Sequence, residues 1–231
     1  MASVTDLATL INAQFSHWIE GSKIEFEELT IDVFPSHLID LCLILRDQAE
    51  FDFKMLVDVC GIDYLEYGLD DWQTKSTTLT GFSRGVTEKW LRVEPAKPTR
   101  FASIYHLLSL THNHRIRLRV NIPDDADLMV DSVVDIWPSA NWFERESFDL
   151  FGIAYKGHPD LRRILTDYGF VGHPFRKDFP LIGKVEARFD AALNRVVYEP
   201  VSIEPRILEP KVIRHDHRYI VGEEGIHDER K

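Results

Sequence analysis

Cysteine is nearly absent: Cys42 and Cys60 are the only two in 231 residues. Iron–sulfur clusters are usually held by four ligands, mostly thiolates, at short spacings, and two distant thiols cannot supply them. No C-x-x-C pair exists, so a zinc ribbon and a redox dithiol are excluded as well. Each cysteine lies in an apolar run, Leu41-Cys42-Leu43 and Val59-Cys60, and is read as a buried hydrophobe. Long hydrophobic runs are also missing. The stretch Leu41 to Leu45 is among the longest and falls far short of the ~20 residues that cross a bilayer.

Basic residues are scarce where a leader would need them. The first is Lys23, so no signal or transit peptide is expected, and the chain should stay in the reducing compartment where it is made. Across the chain 38 acidic residues outnumber 27 basic ones, leaving a net charge of −11 that nucleic-acid phosphates would repel. No P-loop, G-x-G-x-x-G fingerprint or H-E-x-x-H helix is present. Glu144 and Glu146, two apart on a helix, diverge by about 200° and cannot serve one site as a carboxylate pair. His112 and His114 form a His-x-His pair, but no third ligand is fixed by spacing, and a polar turn is preferred to a metal site. The expectation is a chain with no catalytic, cofactor-binding or metal residues of its own.

What is present is enough for a core: 44% of residues are hydrophobic and 11% aromatic, which excludes a disordered chain. Residues 5–20 carry Leu7, Leu10, Ile11, Phe15, Trp18 and Ile19 at helical spacing, with Thr5 as cap and Gly21 as stop. Leu29, Ile31 and Val33 alternate as in a strand. Pro35-Ser36 opens a second helix with Leu38, Leu41, Cys42 and Leu45 on its face. Met55 to Cys60 reads as a central strand. Residues 66–100 are polar, rich in threonine and glycine, and only weakly periodic. Residues 100–110 and 115–122 form a hairpin in which Arg115, Arg117 and Arg119 alternate with Ile116, Leu118 and Val120. Leu128 to Ile136 is predicted as a short helix. Past Pro180, Glu-Pro steps at 199, 204 and 209 forbid regular helix and predict an extended arm laid on another surface. The domain reading is therefore an α+β domain over 1–136, a dense segment over 137–180 and a partner-binding arm over 181–231.

The dense segment runs WPSANWFERESFDLFGIAYKGHPDLRRILTDYGFVGHPFRKDF. Asn141 and Glu144 have the form of a capping box, Gly152 suits the left-handed residue after a helix, and Arg145 and Asp149 are spaced to pair. Two Gly-His-Pro steps force turns, each followed by a basic pair, Arg162-Arg163 and Arg176-Lys177.

The sequence Glu144 to Ile153, Gly157 to Leu165 and Gly172 to Pro180 resembles the signature of the 30 kDa subunit family (the C subunits) of the proton-pumping NADH-quinone oxidoreductase, respiratory complex I. The resemblance reaches upstream over Val57 to Asp63 and Tyr105 to Leu110, and implies that residues 66–100 between them are an insertion between two strands. It implies a non-catalytic subunit of the hydrophilic arm that sits beside the large quinone-site subunit. FMN and the iron–sulfur clusters would belong to partner subunits, and the chain would be peripheral on the cytoplasmic face of a bacterial inner membrane. On that view Glu144, Arg145, Glu146 and Asp149 make charge-assisted contacts at or behind the interface. His158, Asp160, Arg162, Arg163, His173, Arg176, Lys177 and Asp178 shape and pin the turns. A homologous subunit of a membrane-bound hydrogenase or a ferredoxin-linked quinone reductase carries a related pattern, and a stand-alone metal-dependent hydrolase is the reading from another class. The fold expected is α+β, with helices on a mixed, largely antiparallel sheet of about four or five strands and an extended arm behind it.

Overall fold

A computed structural model describes residues 3–65, 67, 99–123 and 127–203. The first unit, residues 1–183, is built on a five-stranded mixed sheet. Helix α1 (Val4–Phe15) leads into β1 (Ile19–Glu25) and β2 (Glu28–Val33), a tight antiparallel pair. One turn of 3₁₀ helix at Pro35–His37 opens α2 (Leu38–Asp47), whose proline at the first position needs no hydrogen-bond donor. Then come β3 (Met55–Asp63), β4 (Phe101–Ser109) and β5 (His114–Ile122). The sheet order is β1-β2-β5-β4-β3, antiparallel throughout except that β2 and β5 run parallel. The α+β class is thus observed, with the mixed sheet and its antiparallel majority.

Periodicity explains the layers. Leu29, Ile31 and Val33 lie beside Ile116, Leu118 and Val120 in the β2–β5 register, and all six are buried. Leu38, Leu41, Cys42 and Leu45 of α2 join the same core, as their helical spacing predicts. On the opposite sheet face the arginines of β5 pair with acids of β2: Arg117 with Glu28 and Arg119 with Asp32.

Four local expectations need correction. Helix α1 ends at Phe15, not at Gly21, because Ile19 begins a strand. Its cap is Ser3, which exchanges bonds with Asp6 in a capping box, where the sequence favoured Thr5. The apolar run at Met55 is an edge strand, not a central one, and α3 (Ala140–Phe151) packs against it. Leu128 to Ile136 is not a helix: β6 (Met129–Asp131) pairs in parallel with β7 (Ala154–Lys156), followed by a turn at Val133 to Ile136. A three-residue parallel pair has no hairpin signal, and its partner lies beyond the intervening helix. The proposed insertion at 66–100 falls almost wholly outside the described residues, as do the last two Glu-Pro steps.

The second unit comprises residues 184–231. The described part of the expected arm is an antiparallel hairpin, β8 (Val185–Asp190) and β9 (Arg195–Pro200). Asp190 accepts from the amides of Ala192 and Leu193 in the turn, and Asn194 adopts a positive φ of 47°. Val185, Ala187 and Phe189 share a face with Val196, Tyr198 and Pro200, and that apolar face is exposed.

Candidate functional site

The dense segment folds around α3 and the turns that follow it. Gly152 follows the helix at φ +76°, the left-handed conformation anticipated for it, and a Cβ there would strike Arg176 Nη2 at 2.5 Å and His173 Nε2 at 2.6 Å. Those two side chains are close because they cap the helix. The last carbonyls of an α-helix lack partners within it. Here Phe148 O accepts from Gly152 N–H and Asp149 O from His173 Nδ1. Leu150 O accepts from Phe175 N–H, and Phe151 O from Arg176 Nε at 2.6 Å. The second Gly-His-Pro turn is therefore a C-terminal cap for α3, with its arginine where the helix dipole favours positive charge. Burial holds the His173 ring below its usual pKa, so it donates as a neutral tautomer.

The turn at residues 164–166, which follows the first Gly-His-Pro step, is held by Asp149. This carboxylate is fully buried and accepts from the amides of Ile164, Leu165 and Thr166 at 3.0, 2.7 and 2.9 Å, and from the Thr166 hydroxyl. Burial alone would raise its pKa, but these donors outweigh it and keep the group ionised. Arg163 supplies the counter-charge at 3.4 Å and reaches the carbonyl of Gly172 at 2.9 Å, tying one turn to the other. The predicted Arg145–Asp149 pair is absent. Arg145 instead donates to Arg162 O and stacks over the exposed ring of Trp142, 4.7 Å from its centre.

Glu144 is no capping-box partner. It is fully buried and accepts from Ser132 Oγ at 2.6 Å and Val133 N–H at 2.8 Å, fastening the turn after β6 to the helix. Burial pushes its pKa up to about 7. Ser139 occupies the N-cap without capping the helix, its hydroxyl donating to Leu56 O instead.

Of the twelve residues the sequence singled out, the structure turns Glu144, Arg145, Asp149, Arg163, His173 and Arg176 inward. His158 joins them: its Nδ1 accepts from Asp160 N–H and its Nε2 faces the carbonyl of Asn141. Asp160 and Arg162 pair with each other at the surface. Glu146 and Lys177 are exposed. Asp178 meets Arg100 at 2.9 Å.

Sequence reasoning missed the other half of this anchor. Asp63, at the end of β3, is buried and takes Arg100 on both oxygens and the amides of Leu65 and Lys177. Burial would raise its pKa, yet these donors lower it. Arg100 and Arg176 both stack on Phe101, at 4.7 and 5.1 Å. Asp63 closes the upstream segment that carries the family resemblance, which was the available signal. Gly61, in the same segment, has a steric role: a Cβ would lie 2.7 Å from Phe151 and 2.9 Å from Ser147. A buried chain of hydroxyls, Ser103, Tyr155 and Ser147, crosses from β4 through β7 to α3. Gly81, Ser83 and Gly85 have the G-x-S-x-G spacing of a nucleophile elbow. They lie outside the described residues. His112 and His114 stack 5.9 Å apart, and His112 meets the carbonyl of Ala49.

Large apolar side chains of this segment are exposed among its surface charges. Trp142, Leu165, Tyr168, Val171, Phe175 and Leu181 are all more than half exposed. No helix among the described residues is long and apolar enough to cross a membrane.

The family described as respiratory-chain NADH dehydrogenase, 30 Kd subunit, matches residues 31–185. The NADH-quinone oxidoreductase C subunit of Coxiella burnetii (strain Dugway 5J108-111) is 57% identical over 96% of this chain and 98% of its own length. The C subunit of Halorhodospira halophila is 53% identical over 95% and 94%, and that of Legionella pneumophila (strain Corby) is 52% identical over 93% and 94%. Among solved structures, a trypsin-resistant fragment (1-134) of Nqo5 is 26% identical at a TM-score of 0.49, covering 67% of this chain and 98% of that one.

Proposed function

The chain belongs to the respiratory-chain NADH dehydrogenase 30 kDa subunit family, the C subunits of NADH-quinone oxidoreductase, and from that premise we propose that it works by position. It holds the large quinone-site subunit and the iron–sulfur subunits of the hydrophilic arm in fixed register while electrons pass from NADH to quinone. FMN and the clusters reside in those partners. The chain is peripheral, on the cytoplasmic face of the bacterial inner membrane, and reaches the membrane only through the complex. Nucleic acid is no partner.

One observation carries this reading. The signature spends its buried charges on its own turns, and above them it leaves a set of large apolar side chains facing outward. Exposed apolar area of this kind, rimmed by polar groups, suits a protein partner. The hairpin of the second unit supports the same conclusion by itself. Two strands alone are marginal in water, and an apolar face of Val185, Phe189, Val196 and Tyr198 gains stability only when covered. Rigid turns suit the task, because electron transfer between neighbours depends on distances that must not drift.

Extraction of native membranes in mild detergent, with this chain tagged, tests the proposal on a native gel stained for NADH dehydrogenase. Co-migration with a large, flavin- and iron-containing active band is expected. A small species without that company would refute it.

A further inference from the structure

One cluster of ligand-type side chains lies outside the anchor just described. Asp58 and Cys60 alternate onto the outer face of the edge strand β3, and Asp58 is the direct neighbour of His106 on β4. A carboxylate oxygen, the thiol sulfur and a ring nitrogen lie within 4.8 Å of one another, all half-buried. Asp58 Oδ2 and His106 Nδ1 stand 3.8 Å apart, too far to hydrogen-bond. That separation exceeds by only about 0.4 Å the edge of a tetrahedron built from zinc bonds of ~2.0–2.1 Å.

The surroundings suit a cation. A cavity of about 310 Å³ opens on the His106 side, lined by Glu28 and Val57 among others. Another of about 240 Å³ opens on the other side, where Glu146 of α3 faces Asp58 and Cys60. Water can reach the cluster, and the two glutamates add negative charge around it. Arg117 opposes them: its Nε donates to His106 Nε2 at 3.0 Å, which leaves the ring proton of the neutral imidazole on Nδ1, facing Asp58.

We propose that Asp58, Cys60 and His106 form a binding site for zinc or a similar soft divalent ion, with a fourth position open to water. Binding displaces the thiol proton of Cys60 to solvent. The imidazole proton leaves Nδ1 and Nε2 takes one up, so Arg117 must release the ring. It keeps its bonds to Glu28 at 2.7 Å and Thr30 at 3.2 Å. Arg117 is thus a built-in competitor, and the site is weaker with it than without it.

The test is a titration of the purified full-length chain with cobalt(II), a zinc substitute whose thiolate complexes absorb in the near ultraviolet. One saturable equivalent with a thiolate-to-cobalt band, displaced by zinc, is expected. Cys60→Ser should abolish the band, and His106→Gln, on the outer sheet face, should weaken binding by about tenfold or more. Arg117→Gln should tighten it. No band at saturation, or a band of unchanged affinity in His106→Gln, would overturn the proposal. Equal binding in Arg117→Gln would overturn the competition assigned to that arginine.

Discussion

The signature around α3 and the hairpin β8–β9 are both rich in charge and aromatic residues, and they spend them in opposite ways. Around α3 the carboxyl groups are inside: Asp149 and Glu144 are fully buried, and both accept from named donors. In the hairpin the charges lie at the surface, with Arg188 paired to Glu199 in water, and the apolar side chains are the ones left without cover. A buried charge must be satisfied by its own chain, since the cost of stranding it is several kcal/mol. An exposed apolar face can wait for a partner. The first region builds a rigid object, and the second offers a surface.

The largest effect should come from removing the centre of the first region. Asp149→Ala strands three amides, the Thr166 hydroxyl and the Arg163 charge, and should cost about 3–5 kcal/mol in denaturant unfolding. A loss under about 1 kcal/mol would mean that the turns hold themselves and the contrast is false. A smaller effect should appear at Glu144, where burial lifts the carboxyl from its ordinary 4.5 to about 7. The folded chain therefore holds this proton more tightly than the unfolded one. The group costs nothing below about pH 4.5, and its burial weighs fully against folding once the pH has passed about 7. Glu144→Gln keeps the shape and removes the charge. Its stability relative to the parent should climb by on the order of 3 kcal/mol as pH is raised from about 5 to about 8. A pH-independent difference would place the ionised form at no disadvantage. The smallest effect on the isolated chain is expected at Phe189→Ser, within about 0.5 kcal/mol of the parent because the ring is exposed. The same variant should lower the fraction of chain that co-migrates with the active complex. Unchanged assembly would remove the hairpin from the partner surface.

Much of the body was legible because its signals are local. The face of α2, the alternation of β5 and the left-handed Gly152 each follow from spacing within one element. What escaped was set by distance along the chain. Glu144 and Arg145 have helical neighbours that invite a capping box and an i,i+4 pair. Their actual partners are Ser132, Val133 and the carbonyl of Arg162. No periodicity announces that Asp149 will gather the amides of residues 164–166. Nor does it announce that Asp63 will bind the amide of Lys177, 114 residues away. The edge position of β3 was hidden for the same reason, since strand order is a property of the whole sheet. Of the basic pairs, Arg163 ties the two turns together, while Arg176 spends its donor on finishing a helix, a use that no turn motif declares.

The parallel pairing of β2 with β5 also governs the order in which this chain can take shape. Leu29 lies opposite Ile116, so the inner edge of β2 has no neighbour until nearly ninety further residues have emerged from the ribosome. Until then the N-terminal hairpin offers an unsatisfied backbone and three buried-to-be aliphatic side chains to whatever is nearby. Such distant closure slows folding. Synthesis of this protein therefore has a vulnerable interval, ended when the β4–β5 hairpin arrives and zips the two halves together.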